Sequence, residues 1–66
     1  MLSYHTRLAL EYFQARPRNE RSPGILRGIV THVCLRYALS AEATQAVQAE
    51  ALREAQRRGF FNQQQR

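Results

Sequence analysis

Apolar residues recur along the chain at the three- and four-residue spacing of an amphipathic helix, and they do so in three successive segments. The first predicted helix covers residues 3–16, with Ser3 as its N-terminal cap. Pro17 ends this helix, because the residue before a proline avoids the helical backbone conformation. On its apolar face, we expect Leu8 and Tyr12 to enter the core.

A second helix is predicted over residues 23–39. Ser22 followed by Pro23 is a typical helix start, because serine caps the first turn and proline needs no hydrogen bond there. The apolar positions that follow form one stripe over three turns: Leu26, Ile29, Val30, Val33, Cys34 and Tyr37. Their β-branched side chains leave a strand as the alternative, but the length of the segment favours a helix.

The third predicted helix, residues 41–58, is rich in the strong helix formers Ala, Glu, Gln and Arg. Ser40 caps its start, and Glu42 lies in its first turn, where the helix dipole favours a negative charge. Gly59 suits the position after the last turn, from which Phe60 would fold back onto the helix in a Schellman motif. Alanines dominate the apolar face of this helix, so each contact buries little area.

These segments predict an all-α protein with one helical domain over residues 1–59 and a short flexible tail over residues 60–66. A chain of 66 residues buries a small core, and its single cysteine cannot form an internal disulfide. We therefore expect a homodimeric bundle with helices two and three at the interface, and a monomeric bundle is the alternative.

Cysteine usage and hydropathy bear on the location of the protein. One cysteine is typical of a reducing compartment, which predicts a cytoplasmic protein. The longest apolar runs have three residues, whereas a membrane span needs about 20. We therefore expect no membrane partner.

Positive charge is concentrated in one part of the sequence. The chain has ten arginines, no lysine and a formal net charge of +5. Four arginines against one glutamate surround the first connection: Arg16, Arg18, Arg21 and Arg27. They lead into the N-terminus of the second helix, where free backbone N–H groups favour an anion, and the guanidinium fork matches a phosphate. The cluster predicts an anion-binding patch for nucleic acid, and a solvated loop is the alternative.

Phe60 and Phe61 are a second candidate site. Two adjacent aromatic residues after a helix end cannot both turn inward easily, so we expect one of them to contact a protein partner. The alternative is that Phe60 packs back on its own helix.

Other kinds of site are poorly matched. The connection between helices two and three lacks the glycine of a helix-turn-helix, and no zinc-finger or phosphate-loop spacing is present. His32 and Cys34 point to different sides of a helix, so with His5 they make a poor metal site. The serines at 3, 22 and 40 fit caps better than nucleophiles. We expect no metal, cofactor, small-molecule substrate or catalytic residue.

The sequence therefore predicts a small non-enzymatic regulatory protein that acts by binding a macromolecule. The first prediction is nucleic-acid binding through the arginine-rich connection and the start of helix two. The alternative is a protein-interaction module that docks on an acidic or hydrophobic surface of a larger protein and modulates it.

Overall fold

The computed structural model describes residues 2–62. All regular secondary structure in this part of the chain is helical, and it contains no strand. The helices are α1 (Tyr4–Gln14), α2 (Pro23–Arg36) and α3 (Ala41–Arg58), and a short 3-10 helix spans Arg18–Glu20. The all-α prediction is confirmed, and a strand in place of α2 is excluded.

A serine caps the N-terminus of each α-helix. Ser3, Ser22 and Ser40 have extended backbones, and their hydroxyl oxygens accept hydrogen bonds from the backbone N–H three residues later, at 3.1 to 3.2 Å. These bonds satisfy N–H groups that have no partner inside the helix. The three predicted caps are confirmed.

The first two helices end earlier than the sequence predicts. α1 ends at Gln14 rather than residue 16, and α2 ends at Arg36 rather than residue 39. At the end of α2 the N–H of Leu39 bonds the carbonyl of Cys34 at 3.0 Å, and Ala38 takes a left-handed backbone with φ 56°. This is a Schellman motif without glycine, and it turns the chain into the cap of α3.

The end of α3 agrees with the prediction. Gly59 has φ 70°, and its N–H bonds the carbonyl of Gln56 at 3.2 Å. The N–H of Phe60 bonds the carbonyl of Ala55 at 2.9 Å, which completes the Schellman motif. The chain then folds back, and the ring of Phe61 lies edge-on to that of Phe13, with 5.6 Å between centroids.

One core lies between the three helices, and α2 supplies its largest share: Leu26, Val30, Val33 and Cys34. α1 adds Ala9, Leu10 and Phe13, and α3 adds Val47, Ala51 and Ala55. The prediction that Tyr12 enters the core is wrong, because it lies at the edge of the α1 stripe and is 51% exposed. Leu8 is half-buried and packs against the core.

Contacts between helices fix their directions. The hydroxyls of Tyr4 and Tyr37 lie 3.4 Å apart, so the start of α1 lies beside the end of α2. Gln48 donates to the hydroxyl of Thr31 at 3.1 Å, which joins the middle of α2 to α3. Only a short turn separates Arg36 from Ala41, so α3 runs back along α2, and neighbours in sequence pack antiparallel. Within residues 2–62, none of the helices combines the length and apolar character that a membrane span requires.

Candidate binding groove

Two of the four predicted arginines have partners within the chain. Arg21 donates from Nε to the carbonyl of Arg16 at 3.1 Å and from Nη2 to that of Gln14 at 3.0 Å. These are carbonyls that the end of α1 leaves without a helical partner, so Arg21 caps that end. Arg16 lies 3.7 Å from the carboxylate of Glu20, in a pair that is nearly half exposed. Such an exposed pair is weak, so Arg16 stays accessible.

The other two are exposed and separate. Arg18 lies in the 3-10 helix and Arg27 lies in the second turn of α2. Among residues 2–62, neither side chain has a hydrogen bond or an ion pair. The structure thus joins Arg16 to Arg21 but does not gather the four side chains around one anion site.

Phe60 and Phe61 both lie against the core, half-buried. The expectation that they cannot both turn inward is wrong. The Schellman motif reverses the chain, and Asn62 then bonds the connection, from its N–H to the carbonyl of Arg21 at 2.9 Å. The guanidinium of Arg58 lies 5.8 Å from the centre of the Phe60 ring and covers that ring further. Residues 63–66 of the predicted tail lie outside the described part.

An open groove of about 590 Å³ lies between α1 and α2. Its floor is formed by the apolar side chains of Ile25, Ile29 and Val33, which are buried or half-buried. On the α2 side, Gly24 and Gly28 line the groove with backbone atoms that no side chain covers. Four exposed side chains form its rim: Tyr12, Arg16, His32 and Arg36. The feature therefore combines an apolar floor with a polar, cationic border.

The lining positions on α2 follow one side of the helix. Gly24, Gly28, His32 and Arg36 are four residues apart, which places them in one row. At a rise of 1.5 Å per residue, the row is about 18 Å long. Because α1 and α2 are antiparallel, Arg16 lies near the α2 start and Arg36 lies at its end. The two guanidinium groups therefore mark opposite ends of the groove.

No carboxylate lines this groove, and α2 contains none along its whole length. Two of the three acidic side chains on α3, Glu50 and Glu54, are engaged elsewhere. Glu54 pairs with Arg57 and Arg58, and these bonds lower its pKa. Glu50 accepts from Thr6 and from the N–H of Ser3, and the Thr6 bond is the largest cause of its lowered pKa. The groove is thus an apolar surface whose charged lining residues are both arginines.

Two other surface features differ from it. A smaller cleft of about 230 Å³ between α1 and the end of α3 has mixed charge, from Arg7, Glu11 and Arg58. The rings of Tyr4 and Tyr37 meet edge-on with 6.0 Å between centroids, and their hydrogen bond raises the pKa of Tyr4. The cleft therefore has charges of both signs and the tyrosine pair satisfies its own hydroxyls, whereas the groove has an apolar floor and a positive border.

The described residues contain no cluster of three His, Cys, Asp or Glu side chains able to hold a metal ion. Cys34 is buried, and the cap serines use their hydroxyls to bond backbone. Neither a family model, nor a curated protein, nor a solved structure matches the chain. The case for a function therefore depends on the groove itself.

The sequence interpretation missed the groove. It placed Tyr12 in the core, whereas Tyr12 is 51% exposed and lines an open surface. One signal was available: Ile25 lies outside the apolar stripe of α2 and, next to Ile29, widens it beyond what one packed face needs.

Proposed function

We propose that this chain is a non-enzymatic binding protein that docks an acidic segment of a larger protein in the α1–α2 groove. The main support for the proposal is the lining of the groove: an apolar floor is bordered by Arg16 and Arg36, and no carboxylate is among the lining residues. The centre of a protein interface is apolar and its rim is polar, and complementary charge speeds association and selects the partner.

A protein partner fits better than nucleic acid. Nucleic-acid binding depends on many phosphate contacts, whereas Arg21 caps α1 and the arginines of the connection are not gathered around one anion site. The isoleucines of the floor also have no counterpart on a phosphate backbone. They match the apolar centre of a protein interface, and the arginines match its polar rim.

The predicted homodimer stays a prediction, and the charge distribution limits its geometry. A two-fold interface brings the same patch of both copies together. Through the groove it would place arginines against arginines, and no carboxylate among the lining residues could pair with those of the second copy. We therefore expect any dimer to use another face, and light scattering at micromolar concentration checks the oligomeric state.

Site-specific photo-crosslinking tests the proposal in cells that make the protein. A photoreactive phenylalanine analogue replaces Tyr12, which is 51% exposed in the groove, or Leu35, which is 74% exposed and does not line it. We expect a protease-sensitive adduct from position 12 only, with the crosslink in an acidic segment of another protein. A nuclease-sensitive adduct, or equal products from both positions, would overturn the proposal.

A further inference from the structure

We propose that the segment in the groove is an acidic amphipathic α-helix of about three turns, which crosses α2 at Gly24 and Gly28. This inference depends on the proposed function, and it specifies the shape and chemistry of the partner. Three observations support it: the charge of the two groove ends, the length of the groove, and the open backbone at the glycines.

Charge complementarity selects an acidic occupant. Arg16 and Arg36 border opposite ends of the groove, and the lining holds no acidic side chain. A second copy of α2 would bring only further cations, because α2 carries Arg27 and Arg36 and no carboxylate. A segment with a carboxylate near each end can pair with both guanidinium groups at once, each in a two-bond fork.

The length and floor of the groove suit a helix. The lining positions on α2 span about 18 Å, which equals about 12 residues of α-helix. Helices that bind in grooves present apolar anchors at three- and four-residue spacing. The side chains of Ile25, Ile29 and Val33 give such a stripe an apolar floor of matching period.

The two glycines have no role inside the chain that explains them. Glycine is the poorest helix former after proline, yet Gly28 lies in the interior of α2 with an ordinary negative φ. A Cβ at Gly28 would meet no atom within 4 Å, and at Gly24 only the Ser22 hydroxyl at 4.0 Å. The fold does not require their small size, whereas a helix that packs closely on this backbone does.

A displayed library of 14-residue helical peptides provides the test. Selection on the wild-type protein is followed by counter-selection against Gly28→Leu, whose side chain would occupy the floor. The control variant is Ala49→Leu, at an exposed position of α3 outside the groove. Neither variant should unfold the protein, because both positions are open and leucine favours a helix.

The inference predicts enriched peptides with carboxylates near both ends and apolar residues every three or four positions. Their affinity should fall about tenfold or more in Gly28→Leu and stay unchanged in Ala49→Leu. Gly28→Ala should melt about 3–8 °C higher than wild type and bind the same peptides more weakly, since it improves the helix and narrows the groove.

The outcomes separate the inference from the proposed function. One outcome is that acidic peptides are enriched, that their apolar residues lack helical spacing, and that they bind Gly28→Leu as well as wild type. This would overturn the helical shape of the partner but not its acidic character. A library that yields no preference for acidic over basic or neutral peptides would overturn both.

Discussion

The hydroxyl of Thr6 donates a hydrogen bond to the carboxylate of Glu50 at 2.5 Å, and this contact joins the first turn of α1 to the middle of α3. Thr6 is fully buried, and the N–H of Ser3 donates to the same carboxylate oxygen at 3.3 Å. The bond therefore fixes α1 on α3, and neither Thr6 nor Glu50 lines the groove.

Replacement of Thr6 by valine should destabilise the protein. The shape is kept, but a charged acceptor loses its closest donor, which costs about 1–3 kcal/mol of unfolding free energy. Urea unfolding measures the change. Thr31→Val is the matched control, because its hydroxyl is exposed and accepts only from the neutral side chain of Gln48, so its loss should stay within about 0.5 kcal/mol. Equal losses in the two variants would contradict this role for Thr6.

Stability should also fall in acid through Glu50. The bond from Thr6 lowers the pKa of Glu50 below its ordinary value of 4.5 in the folded state. The unfolded chain therefore takes up this proton first, and the contribution is present above about pH 4.5 and lost as pH falls through the folded pKa. We expect the difference in unfolding free energy between wild type and Thr6→Val to shrink below about pH 4.5. A difference that stays constant into stronger acid would show that the bond does not depend on the charge.

The left-handed residues of the two Schellman motifs, Ala38 and Gly59, should respond in opposite ways to an exchange between alanine and glycine. Ala38 has a left-handed backbone with φ 56°, which costs an L-residue about 1–2 kcal/mol, whereas Gly59 adopts φ 70° freely. Ala38→Gly should therefore stabilise the protein by about 0.5–1 kcal/mol after the entropy of the more flexible unfolded chain is included. Gly59→Ala should destabilise it by about 1 kcal/mol. Thermal unfolding measures both, and a shift of the two variants in the same direction would contradict the backbone argument.

Arg21 should act on stability and not on binding. Arg21→Gln removes two bonds from a charged donor to carbonyls at the end of α1, which we expect to cost about 0.5–1.5 kcal/mol. Arg18→Gln is the control, because it removes the same charge from an exposed side chain in the same connection. Both variants should bind a groove-selected peptide like wild type. If the Arg21 variant is as stable as the Arg18 variant, Arg21 does not cap α1.

The sequence predicts most of the fold because its helix signals are local. Serine caps, the prolines that follow α1 and begin α2, and Gly59 each act within a few residues, so α3 is predicted with the observed ends. The end of α2 is missed because Ala38 takes a conformation that alanine rarely adopts, and the tertiary turn into α3 imposes it.

The groove was harder to predict because it depends on how α1 and α2 pack. Periodicity places Tyr12 on an apolar stripe but does not give the width of the packed face, so its exposure is set by the tertiary contacts. In the same way, charge counting identified the arginines of the connection, while the partners of Arg21, the carbonyls of Gln14 and Arg16, follow only from the folded chain.

Fluorescence anisotropy of one selected acidic helix, across about 50–200 mM salt, measures how much the two groove arginines contribute to binding. A double variant with Arg16→Gln and Arg36→Gln removes the positive charge at both ends of the groove. A second double variant, with Arg7→Gln and Arg53→Gln, removes two exposed arginines that do not line the groove. Both pairs lower the net charge from +5 to +3. We predict that the groove pair weakens binding about tenfold and flattens its salt dependence, and that the control pair binds within about twofold of wild type. Equal weakening by the two pairs would show that binding follows net charge alone and would contradict a docking site in the groove.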